Sequence, residues 1–248
     1  MRFEKYDPET HAETVPEFFS DVVEEPENFE SFRQETEQAF QDIRDVLGME
    51  AEFDVIIAEV DTEKLPEGTP EGLYFRGYSL GKEAHGHAER NAVFVAASME
   101  SDYWEAGLKN MVVHEEAHQE FFDHISDLDH VVWESMILEG HALHREKLVR
   151  EEKEYPWRGD PREYEGPAAE VVAELDKNRE WQGERYDRDN TSSIFSMDSE
   201  WEGIGYVIAQ EVYSDIINRE DMGVDEPLEM SKEWLRDQVE ESVNHLYD

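Results

Sequence analysis

Three absences narrow the functions open to this chain. It has no cysteine, which excludes a disulfide framework and thiolate chemistry. It has only 22 lysines and arginines in 248 residues, and no basic patch is visible, so nucleic acid is not expected as a partner. No apolar run approaches the roughly 18 residues that cross a bilayer, and Met1–Glu4 lacks the apolar core of a signal peptide. We therefore expect a cytoplasmic protein that binds neither nucleic acid nor membrane.

Because lysine and arginine are scarce, the chain has an extreme negative net charge. Aspartate and glutamate total 64, and the formal net charge is −42 at pH 7. Aromatic residues and periodic apolar segments persist along the chain, which argues against a disordered acidic polymer. A dense carboxylate surface stays hydrated in concentrated salt, where a Debye length of about 3 Å screens self-repulsion. The composition therefore indicates a halophilic, acidic cytoplasmic protein, and it predicts partial unfolding below molar salt.

The most informative motif is His-Glu-x-x-His, which begins at His114 and ends at His118. It lies in the amphipathic segment Leu108–Ile125, which we predict to be a helix. Since a helix repeats every ~3.6 residues, the two histidines lie about one turn apart on one face and could bind one metal ion. Glu115, beside them, could accept a proton from a water molecule. This spacing is typical of zinc proteases and predicts one Zn²⁺ per chain.

A catalytic zinc keeps three protein ligands, so a third is needed. The segment Val131–Arg150 is predicted to be a second helix, and Glu139 lies on its apolar face. A carboxylate on a buried face needs a partner, and a metal would supply one. Gly140, next to it, would let another helix or a substrate approach closely, because glycine inside a helix otherwise costs about 1 kcal/mol. The alternative third ligand is His141 or His144.

These residues carry a resemblance to a known group of enzymes. His-Glu-x-x-His followed by Glu139-Gly140-x-Ala resembles the gluzincin group of zinc metallopeptidases, and is most similar to an uncharacterised family of zinc-dependent proteases. The resemblance implies that His114, His118 and Glu139 bind zinc and that Glu115 is the general base. Thermolysin-like members place an aspartate four residues after the ligand glutamate, whereas this chain has leucine there. The residues that would orient the zinc ligands are therefore left unassigned.

Two further residues are candidates for the catalytic site. The segment Trp201–Ile217 resembles a helix rich in glycine and tyrosine in the same family, and related peptidases often use a Tyr or His to stabilise the oxyanion. Tyr206 is therefore a candidate catalytic residue, and the alternative is ordinary helix packing. His141 is a candidate for a hydrogen bond to the substrate.

The predicted fold class is α+β. A small mixed or antiparallel sheet is expected to pack on the His-Glu-x-x-His helix, and a mainly helical C-terminal half is expected to follow. We predict one metallopeptidase-like domain, 1–248, with an N-terminal helix and sheet part (1–100), zinc-site helices (101–150) and a helical C-terminal part (151–248). Asn91–Ala96 is the candidate edge strand that would hold a peptide by main-chain hydrogen bonds. The remaining predicted elements are helices at Phe29–Leu47, ending at Gly48, at Pro167–Gln182 and at Ser231–Tyr247, and strands at Phe53–Val60, Leu73–Leu80 and Asn91–Ser98.

The sequence thus predicts a zinc-dependent metallopeptidase whose substrate is a peptide or protein. Glu115 would act as general base toward a zinc-activated water. Two alternatives remain open at the level of sequence. One is a non-catalytic zinc-binding or interaction protein, in which His141 or His144 closes a structural site with four ligands. The other is a zinc hydrolase of non-peptide amides, which would use the same site chemistry.

Overall fold

The structure is a computed structural model that describes residues 1–11, 21–48, 53–65, 75–80, 91–98, 101, 104–125, 131–149, 175 and 204–247. The described residues fall into two compact units. One comprises those of Met1–Asp123 and Val149–Trp157, and the other those of His124–Leu148 and Arg158–Asp248. Within the described residues, no helix combines the length and apolar character needed to cross a membrane.

The first unit contains a mixed sheet of five strands. Its strands are β1 (Arg2–Lys5), β2 (Val23–Glu24), β3 (Phe53–Val60), β4 (Phe75–Leu80) and β5 (Asn91–Ala97). They follow the order β1-β3-β5-β4, and β2 also pairs with β3. The strand β3 runs parallel to β1 and β5, while β2 and β4 run antiparallel to their neighbours. The mixed sheet agrees with the predicted fold class.

The central strands are apolar because both of their faces are covered. Six of the eight residues of β3 are buried, and every residue of β5 is buried. Such continuous apolar runs are typical of parallel strands that are buried on both faces. Because β5 pairs with β3 on one side and with β4 on the other, the prediction that Asn91–Ala96 forms an edge strand is wrong. In the described sheet, the end of the strand order on this side is β4.

The first unit also contains the helices α1 (Pro8–His11), α2 (Phe29–Leu47) and α3 (Trp104–His124). Gly48 ends α2 as predicted, with a φ of 70° and an N–H that donates to the Arg44 carbonyl at 2.8 Å. The ring of Phe32 on α2 meets that of Trp104 on α3, with centroids 4.9 Å apart. The sheet packs on α3, since Gln119 Nε2 donates to the carbonyl of Ala92 in β5 at 3.2 Å.

The second unit is helical and contains α4 (Val132–Val149), α5 (Ile204–Glu220) and α6 (Lys232–Tyr247), with a 3₁₀ turn at Glu226–Glu229 before α6. A Cβ on Gly140 would lie 2.7 Å from Tyr213 Cβ and closer still to the carbonyl oxygen of Ala209. Glycine is therefore required where α4 and α5 touch. The α+β class with helices in the C-terminal half is confirmed. The predicted helix Pro167–Gln182 lies outside the described residues except for Leu175.

Candidate metal centre

The two histidines of the motif lie on one face of α3, as the helical period predicts. The ring centroids of His114 and His118 are 4.4 Å apart. His118 is 8% exposed and His114 is half-buried. The interior of α3 also carries the buried apolar residues Val112, Val113, Ala117 and Phe121. This apolar packing fixes the helix, so the two imidazoles project from a rigid support.

The carboxylate of Glu115 is buried between α3 and β4. Glu115 is 4% exposed. The hydroxyl of Ser79 lies 2.8 Å from Glu115 Oε2 and 2.9 Å from the Glu115 carbonyl oxygen, and it can donate to either. A Cβ on Gly77 would lie 2.6 Å from Glu115 Cδ and closer still to Oε1. His118 Nδ1 lies 3.6 Å from Oε2. The predicted base is thus enclosed by β4 on one side and faces a predicted ligand on another.

Glu116, the next residue, is bound in a different way. It is fully buried, and Arg44 Nε of α2 donates to its Oε1 at 2.6 Å. The Arg44 guanidinium also lies over the ring of Phe53, 5.5 Å from the centroid. This pair connects α3 to α2 through a charge-assisted hydrogen bond, which is among the stronger kinds of contact in a protein. Glu116 therefore has a structural role, while its neighbour Glu115 is held by an uncharged group.

Glu139 completes a possible metal-binding group. It lies on α4 and is 6% exposed. By donor type, His114, His118 and Glu139 could hold a metal ion. Two imidazole nitrogens and one carboxylate oxygen are a ligand set of catalytic zinc sites. The donor chemistry therefore fits the ion that the sequence motif predicts.

The two alternative ligands have other partners in the second unit. His141 is fully buried, and its Nε2 lies 3.0 Å from Asp225 Oδ1. The Arg145 guanidinium also donates to Asp225. His144 Nδ1 lies 3.3 Å from Ser214 Oγ.

Two side chains among these contacts, Asp225 and His144, have shifted pKa values. Burial alone would raise the pKa of Asp225, but the hydrogen bond to His141 and the charge of Arg145 outweigh it and lower that pKa. Burial lowers the pKa of His144, and the positive charges of Lys147 and Arg145 lower it further, against the opposing effect of Asp225. The turn that carries Asp225 is therefore fixed to α4 by an ionised carboxylate.

Tyr206 lies on α5 and is half-buried. It precedes Ala209 by three positions and Tyr213 by seven, so the three residues share one face of the helix. Ala209 and Tyr213 are the residues that meet Gly140, which follows Glu139. The Tyr213 hydroxyl donates to the Val224 carbonyl at 2.6 Å, which fixes that tyrosine structurally. The oxyanion role of Tyr206 stays a prediction.

Sequence reasoning missed the groups that hold the two neighbouring glutamates of α3. Ser79 and Gly77 lie two positions apart and hence on one face of β4. In the sequence they appear only as a glycine and a serine two positions apart in a predicted strand. That pattern does not identify the residue that they contact. Arg44 and Asp225 gave no signal, because each meets its partner far along the chain, 72 residues away for Arg44 and Glu116 and 84 for Asp225 and His141.

Comparison with known proteins assigns the chain to no family. No protein-family model, no curated protein and no solved structure matches it. The resemblance to gluzincins therefore rests on the motif residues alone, and the candidate metal centre rests on the geometry described above.

Proposed function

We propose that this protein is a zinc-dependent metallopeptidase. One observation carries the proposal: the imidazoles of His114 and His118 lie on one face of α3 with ring centroids 4.4 Å apart, and the buried carboxylate of Glu115 lies beside His118. The ligand set and the adjacent carboxylate are the components of a site that hydrolyses an amide with a metal-activated water. The order of these residues along the chain is also the order that the sequence motif requires.

Each residue has a distinct part in the proposed reaction. Zinc, when bound, would polarise the scissile carbonyl and lower the pKa of a water molecule, which makes a nucleophile available near neutral pH. His114, His118 and Glu139 would hold the ion. Glu115 would accept the proton of the attacking water and deliver it to the leaving amine. The Ser79 hydroxyl would orient the carboxylate through a hydrogen bond at Oε2.

The number of donors favours a catalytic over a structural ion. A structural zinc usually has four protein ligands, while a catalytic zinc has three and an open position. The sequence motif supplies three donors, His114, His118 and Glu139. His141 and His144, which could have closed the site, make contacts with Asp225 and Ser214 instead. We therefore favour the enzyme over the non-catalytic zinc protein.

A peptide is the substrate that the sheet favours over other amides. In the described sheet β4 pairs with β5 alone, so its other edge can present main-chain donors and acceptors to an extended chain. Peptides are commonly recognised by adding a strand to such an edge. We assign this role to β4 in place of Asn91–Ala96. Because Ser79 of β4 also bonds to Glu115, a peptide on this strand would lie close to the base.

We assign Tyr206 as the candidate oxyanion donor and leave His141 out of the reaction. The tyrosine is half-buried on the α5 face that meets Gly140. His141, in contrast, is fully buried and bound within the cluster of Asp225 and Arg145. A fully buried imidazole is not accessible to substrate. We therefore assign His141 a structural role and expect its loss to affect stability more than substrate affinity.

The first experiment is a count of bound metal. Protein purified in multimolar KCl and supplied with zinc should contain about one zinc per chain, and Glu139→Ala should lose most of it. The matched control is Glu134→Ala, because Glu134 lies on the same helix, is equally buried at 4% exposed and pairs with Lys232 at 2.7 Å. The control should destabilise the fold yet keep zinc at saturating concentration. Equal zinc in both variants would refute the assigned ligand.

The second experiment tests activity on a peptide library. Zinc-loaded protein should cleave peptides, and the activity should disappear with a chelator and return with zinc. Hydrolysis of small non-peptide amides without any peptide cleavage would favour the other hydrolase. Stoichiometric zinc without hydrolysis of either substrate class, together with unfolding on zinc removal, would favour a structural site.

A further inference from the structure

We propose that Ser79 is a positioning residue for the general base and that Gly77 provides the space in which the base sits. This inference deepens the proposed peptidase function and rests on it. Ser79 Oγ lies 2.8 Å from Glu115 Oε2 and 2.9 Å from the Glu115 carbonyl oxygen. The serine thus touches both the carboxylate and the helix backbone of one residue.

The two contacts restrict Glu115 in different ways. A carboxylate on a helix can rotate about its side-chain bonds, and each rotation would move the oxygens that exchange protons. The hydrogen bond at Oε2 selects one orientation, in which Oε2 lies 3.6 Å from His118 Nδ1 and Oε1 lies toward Gly77. The hydroxyl has one proton, so the contact at the backbone carbonyl shares that proton or alternates with the bond to Oε2, and in both cases Ser79 lies against the backbone of α3. Orientation and distance together are what a general base needs, because proton transfer depends on hydrogen-bond geometry.

Gly77 accounts for the closeness of the carboxylate to the strand. Residues two apart in a strand face the same side, so Gly77 and Ser79 both face Glu115. A Cβ at position 77 would lie 2.6 Å from Glu115 Cδ and closer still to Cγ and Oε1, which are all atoms of one side chain. The carboxylate would move, since it is the free end of a flexible side chain, while the strand would stay. The glycine is thus needed for the position of the base and has no need of unusual backbone freedom.

The serine is also chemically suited to this role. An arginine or lysine at the same place would form an ion pair and compete with the substrate water for the carboxylate. A serine hydroxyl orients the group with a single neutral hydrogen bond. The strand that we expect to bind the peptide is therefore also the strand that holds the base. Ser79 would link substrate position to base position through one rigid element.

The first test compares Ser79→Ala with Ser79→Thr in zinc-loaded protein. Loss of one orienting hydrogen bond should lower kcat about 10-fold with KM and zinc content unchanged. Threonine keeps the hydroxyl and should restore kcat to within about twofold of wild type. Gly77→Ala should displace the carboxylate and lower kcat about 100-fold, again with zinc retained. The control is Gly223→Ala, where a Cβ would meet nothing closer than 3.6 Å, and its kcat should be unchanged.

The second test needs no activity. Crystal structures of the metal-free wild type and of Ser79→Ala should show Glu115 in one conformer in the former and in several in the latter. In Gly77→Ala the carboxylate should leave the site beside β4. A single unmoved conformer in both variants would overturn the proposal, as would a wild-type kcat in Ser79→Ala or a threonine variant as slow as the alanine one. If the wild type shows no zinc-dependent hydrolysis, the proposed peptidase function fails, and the conformers of Glu115 still decide whether Ser79 positions it.

Discussion

Two faces of α3 treat neighbouring carboxylates in opposite ways. Toward α2, Glu116 is fully buried and bound by the Arg44 guanidinium at 2.6 Å. Toward β4, Glu115 is 4% exposed and bound by the Ser79 hydroxyl at 2.8 Å. Burial is therefore similar, and the charge of the partner differs. A cation makes a buried carboxylate a structural anchor, whereas a neutral donor orients it and leaves it able to accept a proton.

The largest effect should come from removing one carboxylate or the other. Glu115→Gln should lower kcat about 10³-fold or more, since a general base contributes about 10²–10⁴, while zinc content stays at the wild-type level. Glu116→Gln is the matched variant one position along the helix. It should retain kcat within a few-fold and lower the free energy of unfolding. Steady-state kinetics with metal analysis checks both, and comparable kcat losses in the two variants would break the comparison.

Salt should separate the exposed carboxylates from these buried ones. The net charge of −42 makes the folded state repel itself in dilute buffer. We expect partial unfolding below molar KCl and a Tm that rises by at least about 10 °C between dilute and multimolar salt. Thermal melts followed by circular dichroism measure this. A Tm that is the same at low and high KCl would contradict the halophilic interpretation of the composition.

The ion pair of Arg44 and Glu116 should depend on salt much less than the surface does. Arg44→Met removes the guanidinium from a buried carboxylate and should destabilise the protein by about 3 kcal/mol. The double variant Arg44→Met/Glu116→Met should recover most of that loss, because no buried charge remains. Denaturant unfolding at two KCl concentrations gives the coupling energy between the two residues. A coupling energy that vanishes at high KCl would mean that the pair is screened like a surface ion pair.

A smaller effect concerns His144 in the second unit. Its pKa is lowered from 6.5 by burial and by the charges of Lys147 and Arg145, although Asp225 opposes them. The unfolded chain therefore binds the proton first, so stability falls as the pH decreases below about 6.5, by at most about 1.4 kcal/mol per pH unit. His144→Gln should reduce this slope. Unfolding free energies at pH 7.5 and 5.5 in constant KCl test it, and identical slopes in both proteins would refute the assignment.

Local signals were enough to predict much of the fold. The helix Phe29–Leu47 and its cap at Gly48 were predicted at the residue level, because helix periodicity and a glycine in the left-handed region are encoded within a few positions. The strand Phe53–Val60 was equally clear from its continuous apolar run. The strand Arg2–Lys5 was missed. Its short polar sequence carries no strand pattern of its own, and the strand is defined by its pairing with β3.

The candidate site divides in the same way. His114, His118 and Glu115 follow from helical spacing, and Glu139 follows from its place on a predicted apolar face. Ser79 could not be assigned to Glu115, because 36 residues separate them and no local pattern specifies how β4 lies against α3. The order of strands was likewise beyond the sequence pattern. The sequence pattern predicts both β4 and β5 as strands. Only the strand pairing shows that β4 is at the end of the strand order in the described sheet.

The position of β1 has a consequence for how the chain folds. Arg2 of β1 pairs with Asp54 of β3, so the first strand meets its partner 52 residues later. Pairings between distant residues slow folding, because a long loop must close before they form. During synthesis, which proceeds from the N-terminus, β1 must wait for β3 to emerge. We expect β1 to join the sheet late, and a chain stalled before residue 54 to expose its N-terminal segment to proteases.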